Sequence, residues 1–178
     1  QDEYFLDSDT PTAPTHIGGL EIYTPPRGAG RDYLQKLFAW WKRSPVRAEP
    51  FNYVLAHTGG DSGKARGAAG AGRKGKTNRP ARVWRKLDTV NVEEHVYLHA
   101  LPKPGGQREL GELVARLHVN RLDRHRPLWE MHLIEGLEGG RYAVYTKLHH
   151  SQFDGKRGAE LIPHTRSRKA SERGLPPL

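Results

Sequence analysis

A chain of 178 residues suits a single domain. Apolar residues make up 35% of it, the formal charge is +9 and the mean hydropathy is −0.78, so part of the chain is expected to lie outside any packed core. No apolar run approaches the ~18 residues that span a bilayer, and the lack of cysteine excludes a thiol nucleophile and is compatible with a reducing, cytoplasmic compartment. The charge is concentrated: between His57 and Lys86 nine Lys or Arg stand against one acid, Asp61, and the remainder is close to neutral. No charged-then-apolar secretory leader opens the chain; it starts at Gln1 with no initiator methionine, so a few preceding residues are expected to have been lost.

Residues 1–15, rich in Asp, Thr and Pro, read as an extended arm with one apolar knot, Tyr4-Phe5-Leu6. Ile17 to Thr24 reads as a strand with Leu20 and Ile22 on one face, ended by Pro25-Pro26 and Gly28-Ala29-Gly30. In Asp32 to Arg43 the apolar positions 34, 37, 38 and 41 follow helical spacing, with Ser44-Pro45 as the stop and Trp40 and Trp41 as packing residues. Phe51 to Ala56 reads as a short strand. Residues 58–80, mostly Gly, Ala, Lys and Arg, bury too little apolar surface to offset ordering entropy and are expected to be a disordered basic insertion. Gly67 to Gly72 is not a dinucleotide fingerprint, because no strand leads into it and no periodic helix follows. With no aromatic residue there to stack bases, specific nucleic-acid binding is not expected.

Trp84, Leu87 and Val90 lead into an alternating strand over Val92 to Leu98, with His95 and His99 expected on its surface. Leu101 to Gly106 is a turn, and Glu109 to Val119 a helix whose stripe is Leu110, Leu113, Val114 and Leu117. Trp129 to Glu135 and Arg141 to His149 read as a β-hairpin around Gly136 to Gly140. Gly155 to Ile162 is read as a further helix, and 163–178 as a loose basic tail.

The second hairpin strand runs into His149-His150-Ser151-Gln152-Phe153-Asp154-Gly155. Strand, histidine pair and Asp-Gly turn together hold an imidazole at the edge of a cleft. Gly155 permits positive φ, and Asp154 bonds its own loop. A neutral imidazole, titrating near pH ~6.5, takes a proton from a hydroxyl at neutral pH. Two adjacent histidines also serve simply to cap a strand, and on a strand they point to opposite faces, which makes them a poor chelate; no metal site is expected. No Gly-x-Ser-x-Gly elbow is present for a serine hydrolase. By alternation Tyr142, Val144, Thr146, Leu148 and His150 share one face, and Arg141, Ala143, Tyr145, Lys147 and His149 the other. His150 is therefore expected on the apolar face if the strand persists that far.

These residues fit the HHxxxDG motif of CoA-dependent acyltransferases. The stretch Leu122 to Gly136, containing Pro127-Leu128-Trp129, resembles the PLW segment of the bacterial wax ester synthase/diacylglycerol acyltransferase family. Asp2 to Leu6, His16 to Leu20 and Leu175-Pro176-Pro177 are also similar to that family, and the likeness matches its amino-terminal half. The resemblance implies an α/β fold, an α+β sandwich with a mixed sheet and flanking helices, as one lobe of a chloramphenicol-acetyltransferase-like fold. It implies O-acyl transfer from acyl-CoA to diacylglycerol or a long-chain alcohol. His150 would be the general base, Asp154 the residue orienting it, His149 a support and Gly155 the source of backbone freedom. Pro127, Leu128 and Trp129 would be structural or line the acyl channel. No resident cofactor is implied, acyl-CoA being a co-substrate.

Gln152 and Lys156-Arg157 depart from the family's small or apolar residues, and a second, carboxy-terminal lobe is absent from these 178 residues. A lone first lobe is expected to expose His150, Leu148 and Val144 and to self-associate or be inactive. The alternative reading is an inactive fragment or a lipid-binding module whose basic segment meets an anionic membrane or lipid-droplet surface.

Overall fold

The computed structural model describes residues 2–58 and 81–153. The expectations for 59–80, for a helix over 155–162 and for the tail 163–178 lie outside the described residues.

Four strands form the main sheet: β1 (His16–Tyr23), β4 (Val96–Ala100), β5 (Trp129–Leu137) and β6 (Arg141–His149), in the order β1-β6-β5-β4. β1 with β6 and β5 with β6 run antiparallel, while β4 with β5 is parallel. The sheet is therefore mixed, as expected. A parallel pair needs a crossover, and α3 (Gln107–Val119) supplies it. α2 (Tyr33–Arg43) covers the opposite face.

β6 is buried on both sides, which explains its near-continuous apolar run. On the α3 side Leu110, Ile134, Ala143 and Tyr145 pack together with Leu113, Val114 and Leu117. On the α2 side Trp41, Met131, Leu133 and Val144 form the larger core, with Leu34, Leu37 and Phe38 packed against it. Burying side chains of this size contributes about 1.5–3 kcal/mol each. α2 stops where Ser44 turns back, its Oγ donating to the Trp40 carbonyl at 2.9 Å. α3 starts where Glu109 accepts the Gly106 N–H at 2.8 Å.

Several expectations are corrected. The arm is not extended: Asp2–Ser8 forms a short helix, α1. Ser8 Oγ donates to the Tyr4 carbonyl at 2.8 Å, and Leu6 is buried against Leu122 and Leu128. Tertiary burial decides this segment, because seven residues have little intrinsic helicity. The strand over Val92 to Leu98 begins late: Val92–Glu94 is a single 3-10 turn, and pairing starts at Val96.

Arg82–Lys86 is a strand that the pattern did not reveal, β3, paired antiparallel with β2 (Tyr53–His57). Its charged residues occupy a two-stranded ribbon with much of its surface in water. Thr58, placed at the start of the disordered stretch, instead extends that pairing, its N–H donating to the Ala81 carbonyl at 2.8 Å.

His95 and His99 are not surface residues. His95 is 2% exposed and stacks on Trp129 at 4.3 Å, with Nδ1 2.9 Å from the Trp129 carbonyl. Half-buried His99 places Nε2 3.1 Å from His132 Nδ1.

Lys147, 1% exposed, joins helix to sheet. Its Nζ donates to the carbonyls of Leu117 and Asn120, each at 3.0 Å, and pairs with Glu130 at 2.8 Å. An ammonium at a helix C-terminus satisfies carbonyls that have no intrahelical partner. Lys147→Met strands the Glu130 carboxylate and is expected to destabilise the fold by about 3–5 kcal/mol. Lys147→Met with Glu130→Met should recover part of that loss; urea unfolding of the two variants measures both.

Candidate active site

The site assembles where the end of β6 meets the amino-terminal arm. The His149 N–H donates to the Leu128 carbonyl and the His150 N–H to the Thr15 carbonyl, both at 3.0 Å. The last ladder pair is His16 with His149. Beyond it the Gln152 N–H bonds the His149 carbonyl at 3.1 Å and closes a turn. The strand therefore ends at His149, one residue short of His150.

His149 is 1% exposed and sits in a polar network. Its Nδ1 lies 2.8 Å from Ser151 Oγ and accepts the Ser151 N–H at 3.2 Å. A nitrogen that accepts a backbone N–H carries no proton, so the proton of the neutral ring resides on Nε2. That atom faces Thr15 Oγ1 at 3.4 Å and Asp9 Oδ2 at 3.8 Å. Asp9 is itself buried; it accepts Arg121 at 2.7 and 2.9 Å, Arg124 at 3.0 Å and the Thr15 N–H at 3.1 Å. Burial opposes ionisation of Asp9, but these bonds together hold its carboxyl below the usual range.

For His149 burial dominates and Arg124 and His16 add to it, outweighing Asp9, so the imidazole is pushed down to about 4. Asp9, His149 and Ser151 resemble a hydrolytic triad in composition only. Ser151 is 2% exposed and its hydroxyl is closed off from substrate.

His150 stands differently. It is half-buried, and its ring lies flat on Phe5, with centroids 3.9 Å apart and planes 16° from parallel. Its Nδ1 is buried with no hydrogen-bond partner among the described residues. Asp154 and Gly155 lie outside the described residues.

Pro127, Leu128 and Trp129 are all buried. Leu128 packs on Leu6, while Trp129 donates its Nε1–H to the Phe51 carbonyl at 2.8 Å. Their side chains serve packing. Among the described residues, no group of three or more His, Asp or Glu is placed to hold a metal.

Of the face expected to be bare, Val144 is covered, 8% exposed beneath α2 and Phe153, while Leu148 and His150 are half-buried. The large apolar residues that do reach solvent include Tyr4, Leu20, Ile22 and Val119. Sequence reasoning missed Phe5, Asp9, Thr15, Arg121 and Arg124 as parts of the site. The available signal was the resemblance of Asp2 to Leu6 to a known amino-terminal segment.

A family profile for the wax ester synthase/diacylglycerol acyltransferase catalytic domain matches residues 71–177. The chain belongs to this family. A Mycobacterium tuberculosis relative named a diacylglycerol O-acyltransferase is 40% identical over 167 residues, covering 94% of this chain and 30% of the relative. One from Mycobacterium bovis is 40% identical over 170 residues, covering 93% and 33%. The solved wax ester synthase/diacylglycerol acyltransferase of Marinobacter aquaeolei VT8 superposes with a TM-score of 0.80 at 35% identity, over 99% of this chain and 38% of that one. The starter condensation domain of rhizomide synthetase matches at a TM-score of 0.50 and 12% identity, over 91% of this chain and 34% of that one, a likeness of fold alone. The chain thus spans about a third of the length of its acyltransferase relatives.

The lowered His149 value has a consequence for stability. A histidine whose folded pKa lies below its unfolded one binds fewer protons when folded. Its stabilisation is complete above the unfolded value and is lost as pH falls from 6.5 through about 4. The loss is on the order of 3 kcal/mol at the acid end. His16, His95 and His99 are shifted in the same direction by burial and add to it. Denaturant unfolding at pH 7 and pH 4.5 should show the fall, and His149→Asn should flatten it.

Proposed function

We propose that this chain is the amino-terminal part of an O-acyltransferase that moves a fatty acyl group from acyl-CoA to the hydroxyl of diacylglycerol or a long-chain alcohol, with His150 as general base. The observation that carries this reading is the contrast between the two histidines. His149 is consumed by internal partners, whereas the His150 ring is held against Phe5 and its Nδ1 has no hydrogen bond among the described residues.

In the reaction a neutral His150 nitrogen takes the acceptor's hydroxyl proton as its oxygen attacks the thioester carbonyl. The C–O bond forms, the C–S bond breaks, and the imidazolium returns the proton to the departing CoA thiolate. Asp154 orients the motif loop and Gly155 gives it backbone freedom. Acyl-CoA enters as co-substrate, and no resident cofactor takes part. The carboxy-terminal lobe of the relatives supplies the other wall of the substrate path.

Supplying that lobe from a relative should restore acyl transfer from labelled acyl-CoA to diacylglycerol. In this complemented enzyme, His150→Ala should lower turnover about 10²–10⁴-fold, while His149→Asn, which keeps an acceptor for Ser151, should retain measurable turnover. Equal loss in both variants with folding intact would sink the assignment of a single base.

The reading places the enzyme on the cytoplasmic face of an anionic membrane or lipid droplet as a peripheral protein. No helix among the described residues is long and apolar enough to cross a membrane. The basic stretch between β2 and β3 would supply the attraction, about 1 kcal/mol for each Lys or Arg near the surface. Deleting Gly59 to Lys76 should remove salt-sensitive binding to phosphatidylserine vesicles and leave the melting temperature nearly unchanged. Cosedimentation and calorimetry read the two outcomes.

A further inference from the structure

We propose that Phe5 is a positioning residue for His150, and that the amino-terminal arm holds the reactive imidazole in its working orientation. This rests on the assignment of His150 as general base. Three contacts close a ring between arm and motif. The Phe5 side chain stacks on the imidazole at 3.9 Å. The Phe5 carbonyl accepts Thr15 Oγ1 at 2.7 Å. The Thr15 carbonyl accepts the His150 N–H at 3.0 Å. The His150 backbone then carries its own ring back onto Phe5.

The anchor of this arm is not Phe5 but its neighbour. Leu6 is 2% exposed inside the apolar cluster with Leu122 and Leu128. Asp9 pins the other end of the arm through Arg121 and Arg124. Phe5 is only half-buried; its ring meets Tyr4 edge-on at 5.5 Å and lies near-parallel to His150. An aromatic plane against one face of an imidazole blocks rotation out of that plane and uses neither nitrogen, since both lie on the ring's edge. His150 Nδ1 has no hydrogen bond among the described residues to fix the ring. The stack supplies that restraint without occupying a nitrogen. Misplacing a catalytic group by about 1 Å costs on the order of 10²-fold in rate.

The test uses Phe5→Leu, Phe5→Tyr and His150→Ala in the complemented enzyme, with imidazole C–H resonances recorded on the chain itself. Phe5→Leu should lower kcat by about tenfold to a hundredfold and leave KM for acyl-CoA unchanged. It should also move the His150 ring protons downfield as the aromatic ring current disappears. Phe5→Tyr keeps the stack and should restore both kcat and the resonances.

Unchanged kcat in Phe5→Leu overturns the proposal. So does a loss in Phe5→Tyr equal to that in Phe5→Leu and proportional to lowered melting temperature, because Phe5 would then be ordinary packing. Turnover that survives His150→Ala refutes the base assignment itself. Loss in His150→Ala with none in Phe5→Leu refutes the positioning role alone.

Discussion

The Lys147 ammonium is the interaction on which the arrangement rests. Burying an ion costs several kcal/mol unless its donors are met, and here two carbonyls at the end of α3 and the Glu130 carboxylate meet them. That fixes where α3 ends relative to β6. The chain leaving α3 carries Arg121 and Arg124, whose guanidinium groups hold Asp9. Two residues beyond Lys147 on the same face is His149, which Asp9 approaches. One buried cation thus sets the position of helix, arginines, arm and histidine in turn. Gly18 belongs to the same face: a side chain there would collide with Tyr145, whose hydroxyl lies 2.6 Å from where its Cβ would sit.

Adjacent histidines acquire opposite characters at the end of β6. His149 is the last residue of β6 and its side chain enters the polar network of Asp9, Thr15 and Ser151, while His150 opens the turn that follows and lies against Phe5. The buried ring is held neutral, with its acceptor nitrogen used by Ser151. That neutrality keeps a second positive charge away from the Arg121–Arg124 pair and from the neighbouring imidazole. His149 thereby ties the end of β6 to the arm through Thr15 and Asp9.

The elements most legible in the sequence were those whose own periodicity is strong. α2 and α3 announced themselves by apolar spacing, and the β5–β6 hairpin by its alternation and glycine-rich turn. What was hidden depends on partners far along the chain. α1 exists because Leu6 meets Leu122 and Leu128. β3 is too charged to show a core face, and His95 is buried because Trp129 offers it a ring and a carbonyl. In the site, the histidine pair could be read from its motif. The arm residues Phe5, Asp9 and Thr15 could not be read from theirs, since their roles exist only once β6 lies beside them.

That dependence has a temporal side. Thr15 and His149 are 134 residues apart, and Asp9 and Arg124 are 115 apart. At roughly 5–20 residues per second on the ribosome, the arm waits on the order of ten seconds or more after its own synthesis before His149 exists to receive it. Its contacts with the rest of the fold carry a high loop-closure cost. The β5–β6 hairpin and α3, bound by short-range contacts, have no such wait. The corner where the arm meets His150 is therefore completed only after β6 has been made, and the strand that carries His150 precedes its contact with the arm.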